Sequence, residues 1–197
     1  MATIDELKKV RLEKLEALRK QGIDPYPAIV RREQTVEQAR HMDGRSVAIA
    51  GRIKGMRGHG KIMFADLVDE SGKIQVIFKS DQVEEDTFSL LESLDLADFI
   101  AVEGRVGKTQ AGEISIFANK FQIISKALRP LPDQWYGFKD VEERFRRRHV
   151  DLLLNPAVKE TLDKRWKIEQ AIRTFLWGEG YVEVETPILQ PLYGGNN

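Results

Sequence analysis

The apolar period changes at Ser46, and this constrains the fold more than any other feature of the chain. Before it, Ile4, Leu7, Leu15 and Leu18 recur at helical spacing. From Ser46 to about Ile124, apolar and polar residues alternate with period two, the pattern of strands with one buried face. This stretch divides into five strands at about 46–55, 60–68, 73–79, 99–107 and 113–124. The second and third are joined by Asp69-Glu70-Ser71-Gly72, the fourth and fifth by Thr109-Gln110-Ala111-Gly112. Both are hairpin loops that end in glycine. Between strands three and four, residues 82–94 put Phe88, Leu91 and Leu94 on one side of a helix-like insertion.

Three strands, a helix and two strands is the chain order of an OB-fold, a five-stranded Greek-key barrel. The inserted helix favours that reading over other five-stranded barrels. The flanking segments are helical. Thr3 and Glu6 form a capping box for a helix over 3–21, stopped at Gly22, and Arg11 interrupts its narrow apolar stripe. The prolines of Asp24-Pro25-Tyr26-Pro27 hold that stretch extended. A short helix is expected at 35–42. Beyond the barrel, "KALRPLPDQ" (126–134) reads as a linker. A basic helical stretch at 138–154 and a long helix from Pro156 to Trp177 follow. On that helix Val158, Leu162, Ile168, Ile172, Phe175 and Leu176 share a broad apolar face. "YVEVETPIL" (181–189) reads as a strand interrupted by Pro187. The expected organisation is an α+β chain: a helical extension over 1–45, the barrel over 46–125, a linker over 126–138 and a second region over 139–197. One helix and one strand close no core, so this region is expected to pack on another subunit or on further sequence of its own domain.

Composition removes several classes of chemistry. The 197 residues include no cysteine, which excludes disulfides, thiolate metal sites and cysteine nucleophiles. His41, His59 and His149 lie far apart, with no metal-ligand spacing. No apolar run reaches the length of a membrane span, and the charged N-terminus lacks a signal-peptide core, so a cytoplasmic location is expected. There is no phosphate-binding glycine loop and no Ser/His/Asp arrangement, so no catalytic residue is assigned. The formal net charge is zero, and any charged partner must be read from local patterns.

One such pattern is local. Between Gly44 and Lys61 the ionisable residues are Arg45, Arg52, Lys54, Arg57, His59 and Lys61, without an acid. In the next strand Met63, Ala65 and Leu67 make a core face, which leaves Phe64 on the wet face beside Asp66. A loop of 69–72 sets Asp66 opposite Gln75 and makes Phe64 the diagonal neighbour of Gln75. Two readings fit. One is a solubilising edge whose phenylalanine is covered by a neighbouring loop. The other is a seat for an unpaired base, stacked on Phe64, with its edge read by the Gln75 amide and with Arg57 at the entrance. Glu113, at the hairpin between strands four and five, is either an ordinary hairpin-end carboxylate or a reader of a base donor group. Arg144, Arg146, Arg147 and Arg148 either touch RNA backbone or pair with Glu142, Glu143 and Asp151.

"AGRIKGMRGHGKIMFADLVDESGKIQ" (50–75), "KALRPLPD" (126–133), "RFRRRHVDLL" (144–153) and "GYVEVETPIL" (180–189) with Gly194-Gly195 carry a resemblance. Together they resemble bacterial lysyl-tRNA synthetases, of the class II aminoacyl-tRNA synthetases, over nearly the whole chain. The last stretch is similar to class II motif 1, with Pro187 as its proline. The resemblance implies an OB-fold that binds the tRNA(Lys) anticodon stem-loop, followed by the start of a catalytic domain. It implies that Phe64 stacks on the central uracil, that Gln75 and Arg57 contact the same region, and that Glu113 reads a neighbouring base. It also implies that Gly194 lies beside bound lysine and that motif 1, with Pro187, builds a homodimer. ATP and Mg²⁺ are implied for a full-length parent. Motifs 2 and 3 are not in this sequence, so the chain alone is expected not to aminoacylate. Two rivals stand beside this reading: a stand-alone RNA-binding module, and the same region of an aspartyl or asparaginyl enzyme.

Overall fold

The computed structural model describes residues 3–83, 88–132, 138 and 140–189. The chain divides into two units, Met1–Leu131 and Pro132–Asn197.

In the first unit, α1 spans Ile4–Lys20 and starts at Thr3, whose hydroxyl accepts from Glu6 N while the Glu6 carboxylate accepts from Thr3 N. Only the later part of the apolar stripe is covered: Leu15 and Leu18 are buried, whereas Ile4 and Leu7 are exposed. Arg11 does not break this face, as expected from the stripe, but docks it. Its guanidinium donates to the carbonyls of Ala127 (2.6 Å) and Arg129 (3.3 Å). A second helix, α2 (Val36–Arg40), starts from a Thr35–Gln38 capping box.

Five strands follow: β1 (Ser46–His59), β2 (Ile62–Val68), β3 (Lys73–Lys79), β4 (Phe99–Lys108) and β5 (Ile114–Ser125). They close a barrel in the order β1-β2-β3-β5-β4, all neighbours antiparallel except β3 and β5. The long β1 serves two partners. Its first half pairs with β4 and its second half with β2, and the register shift at Lys54 marks the bulge where it bends from one to the other. Gly60, at φ 64°, makes the tight turn into β2, a conformation that costs a residue with a Cβ. Ile49, Ile53, Leu67, Val76, Phe78, Ile100, Val102, Ile116 and Ile123 fill the interior. Of the expected helix at 82–94, part lies outside the described residues. Its end is a 3₁₀ turn at Leu90–Ser93, and Leu91 and Leu94 are buried.

Lys126 and Ala127, expected at the head of a linker, are built into this unit. The Lys126 ammonium donates to Asp98, to Asp95 (2.7 Å) and to the carbonyl of Ser93 (2.7 Å), and Ala127 N donates to Asp98 (2.7 Å). Lys14 of α1 reaches the other oxygen of Asp95 (2.8 Å). Burial pushes the Asp95 carboxyl up, but hydrogen bonds and charge from Lys126 and Lys14 outweigh it and hold the group below its ordinary value of 3.8. A depressed carboxylate contributes stability that is full above 3.8 and lost as pH falls through the lower folded value. Acid titration of Asp95→Asn, followed by tryptophan-independent circular dichroism of the barrel, is therefore expected to show a shallower loss of stability below that pH than the parent chain.

The second unit holds α3 (Val141–Arg146), α4 (Arg148–Leu154) and α5 (Pro156–Gly178). The buried Asp151 accepts from Arg144 (2.8 Å), Arg148 and Asn155. Arg146 pairs with Glu142 and Arg147 with Glu143. The arginine run is thus engaged with the acids of its own helices. The long helix forms as expected, and no residue of α5 is buried; Trp166, Ile168, Ile172, Phe175 and Trp177 are exposed. The strand expected at 181–189 is not formed. Tyr181–Leu189 is exposed and lies in no ladder among the described residues. Its alternating composition suits a strand, but a strand exists only beside a partner that takes its backbone hydrogen bonds.

Candidate nucleic-acid interface

The outer face of β1, β2, β3 and β5 gathers four of the residues singled out in the sequence. Asp66 pairs with Gln75 and Phe64 with Ile77, the register set by the 69–72 loop. That loop is held by Asp69, which accepts from Ser71 N (2.8 Å), Gly72 N (3.1 Å) and, across to α2, Val36 N (3.0 Å). These hydrogen bonds, opposed by burial, keep the Asp69 carboxyl below its ordinary value.

Phe64 is half-buried and faces outward. Arg57, its partner on β1, lies with its guanidinium carbon 5.6 Å from the ring centroid. The same guanidinium approaches Asp66 at 3.5 Å, and Lys73 lies 3.7 Å from the other Asp66 oxygen. Asp66 therefore draws two cations together, one of which, Arg57, stands over the Phe64 ring.

Gln75 departs from the expected wet position. It is 4% exposed, because β3 is flanked on both sides, by β2 and by the parallel β5. Its Nε2 donates to Glu113 (3.1 Å), and its Oε1 accepts from Ser115 Oγ (3.0 Å). The chemistry fixes which way the amide points. An ionised carboxylate only accepts, so the NH₂ must face Glu113, and the Ser115 hydroxyl must donate to the oxygen that remains. Glu113 is itself exposed and held at the hairpin, where its N donates to Thr109 Oγ1 (3.1 Å). Sequence reading missed Ser115, a buried strand residue whose partner Gln75 is 40 positions away, and missed Asp66 as a partner of Arg57.

The remaining candidates do not join this cluster. Pro187 is exposed in the second unit, and Gly194 lies outside the described residues. Among the described residues no three His, Asp or Glu side chains are grouped to hold a metal, and no helix is long and apolar enough to cross a membrane.

An aromatic flanked by cations on the outer face of an OB barrel, with an amide and a carboxylate beside it, is equipped to hold unpaired nucleotides. Two family profiles agree with that geometry. Residues 47–124 match the tRNA anticodon family described as an OB-fold nucleic acid binding domain, and residues 140–197 match the class II tRNA synthetases of the D, K and N group. The chain is thus similar to an OB-fold domain over 47–124 and to a class II synthetase region over 140–197. Within that class it is homologous to the N-terminal part of lysine--tRNA ligases. It is 47% identical over 196 residues to the lysine--tRNA ligase of Carboxydothermus hydrogenoformans, covering 98% of this chain and 40% of that protein. The figures are 46% over 196 residues for Syntrophomonas wolfei (98% and 40%), and 42% over 198 residues for Clostridium perfringens (98% and 39%). The chain spans about 40% of the length of these relatives.

Proposed function

We propose that this chain is the anticodon-reading part of a lysine--tRNA ligase, whose full-length reaction is the ATP-dependent attachment of lysine to tRNA(Lys) in the cytoplasm. The observation that carries this is the Arg57–Phe64 pair beside the fixed Gln75–Glu113 amide–carboxylate pair, on an OB-fold of the anticodon-binding family. The central uracil of the lysine anticodon stacks on Phe64. Gln75 accepts from Ser115 with one Oε1 lone pair and gives one N–H to Glu113, so the donor it has left is the second N–H. That N–H suits a uracil carbonyl and opposes the amino group of cytosine. Glu113 keeps free lone pairs for a donor on a neighbouring base, and Arg57 takes phosphate or base edge.

ATP and Mg²⁺ are expected for a full-length parent; the described residues group no ligand set for the metal. Gly194 is assigned to the lysine site. The uncovered apolar face of α5, with the Pro187 region, is assigned to a homodimer interface, since an exposed face of that kind promotes association.

The test is binding of stem-loop RNAs to the chain at fixed salt. A lysine-type anticodon loop is expected to bind at least tenfold more tightly than the same loop with its central uracil changed to cytosine, and than an aspartate-type loop. Equal affinity for all three removes anticodon reading. Preference for the aspartate-type loop moves the chain to the aspartyl or asparaginyl group.

A further inference from the structure

A second outward aromatic stands in the same row of the barrel. Strand pairing sets Arg57 opposite Phe64, Phe64 opposite Ile77, Ile77 opposite Phe117, and Phe117 opposite Arg105. Directly paired residues share a face, so these five cross the outer surface in one line. Ile77, at the centre, is 3% exposed; Phe64 and Phe117 on either side are half-buried. The two rings are furnished alike. Arg57 stands 5.6 Å from the centroid of Phe64, and the Lys79 ammonium stands 5.4 Å from that of Phe117.

The surroundings of Phe117 leave room for a ligand. Its ring edge lies toward Gly107, where a Cβ would come within 3.1 Å of it, so glycine lets the ring lie down along the strand. Beside it is an open groove of about 510 Å³, lined by Asp43, Ser46, Gln82, Arg105, Phe117 and Asn119. Arg105 donates through Nε to the carbonyl of Gly44 (2.8 Å), which fixes its guanidinium at the groove rim with the other N–H groups available. Asp43 is the acid among those lining residues, set against Arg105 and the nearby Lys79.

We propose that Phe117 seats a second unpaired nucleobase of the RNA strand whose first base lies on Phe64, with Lys79 and Arg105 taking its backbone phosphate. This rests on the reading of Phe64 given above. Two inter-strand steps separate the aromatics, roughly 10 Å. Bases on them are therefore splayed apart rather than stacked on each other, as readers of single-stranded loops hold them. Gln82 and Asn119 line the groove, and their amides can both donate and accept.

The test uses the full chain and the lysine-type stem-loop, intact and with single abasic nucleotides along the loop. Phe117→Leu keeps the apolar bulk and removes the plane. It is expected to weaken binding of the intact loop roughly 5- to 150-fold. One abasic position, different from the one that matters to Phe64, is expected to weaken the parent chain equally and to leave Phe117→Leu unaffected. Lys79→Gln and Arg105→Gln, which do not touch the core, are expected to flatten the salt dependence of binding. If Phe64→Ala weakens binding while Phe117→Leu and both charge variants do not, the second seat is wrong and the first stands. If Phe117→Leu weakens the intact loop and every abasic loop alike, the residue acts through the fold and the proposal is overturned. If neither aromatic matters, the anticodon reading itself fails.

Discussion

Lys126→Ala is expected to lower the unfolding free energy by about 3–5 kcal/mol, read from urea titration of the barrel signal. The side chains of Lys126 and Asp98 are both fully buried, and Asp95 is partly buried. Removing the ammonium leaves Asp98 with a charge and only the N–H groups of Ala127 and Asp95 to answer it. It also removes the donor to the part-buried Ser93 carbonyl. The same cluster holds the turn at Ala97, which sits at φ 78° although it carries a Cβ. A surface pair supplies the contrast. Lys159 and Asp163 are about half exposed, and Lys159→Ala is expected to change stability by less than ~0.5 kcal/mol. A loss below about 1 kcal/mol for Lys126→Ala would show that the cluster is neutralised or wetted in solution.

Lys126 also shows where sequence reading stops. In sequence it stands just before a proline-rich run and looks like the start of a linker. Its partners Asp95 and Asp98 are about thirty residues away and become visible only when β4 and β5 lie side by side. Arg11 was misread for the same reason: a charge in an apolar stripe looks like a break until the carbonyls of Ala127 and Arg129 are found against it. What the pattern does encode is local. Alternation gave the five strands, the loop of 69–72 gave the Asp66–Gln75 register, and helical spacing gave α5. The parallel pairing of β3 with β5 is not local. It brings Ser115 to Gln75 across 40 residues, buries an amide expected to be wet, and converts it from a free reader into one with a fixed orientation. The segment 181–189 marks the opposite limit. Its composition is that of a strand, and composition alone does not supply the neighbour that would make it one.

Phe64→Ala is expected to weaken binding of the lysine-type stem-loop by about 1–3 kcal/mol, a factor of 5 to 150, while shifting the melting temperature little. The first half follows from stacking. A half-buried, outward ring with a guanidinium over it, 5.6 Å from its centroid, offers a base an aromatic plane and a cation together. The second half follows from position. Phe64 stands on the outer face, and the interior beneath it is made by Ala65, Leu67, Val76 and Phe78, which the substitution does not touch. Ile77 gains exposure and contributes a small loss of stability of its own. The two readouts separate the two explanations of an outward phenylalanine. A ring that only covers Ile77 loses stability and not affinity when truncated; a ring that seats a base loses affinity and little stability. Phe64→Trp sharpens the distinction, because a larger plane preserves or strengthens stacking, whereas a residue packed to fit its neighbours does not tolerate the added volume. Retained affinity in Phe64→Ala at low salt, where phosphate contacts are strongest, means that the RNA is held by charge and the aromatic row carries none of the reading.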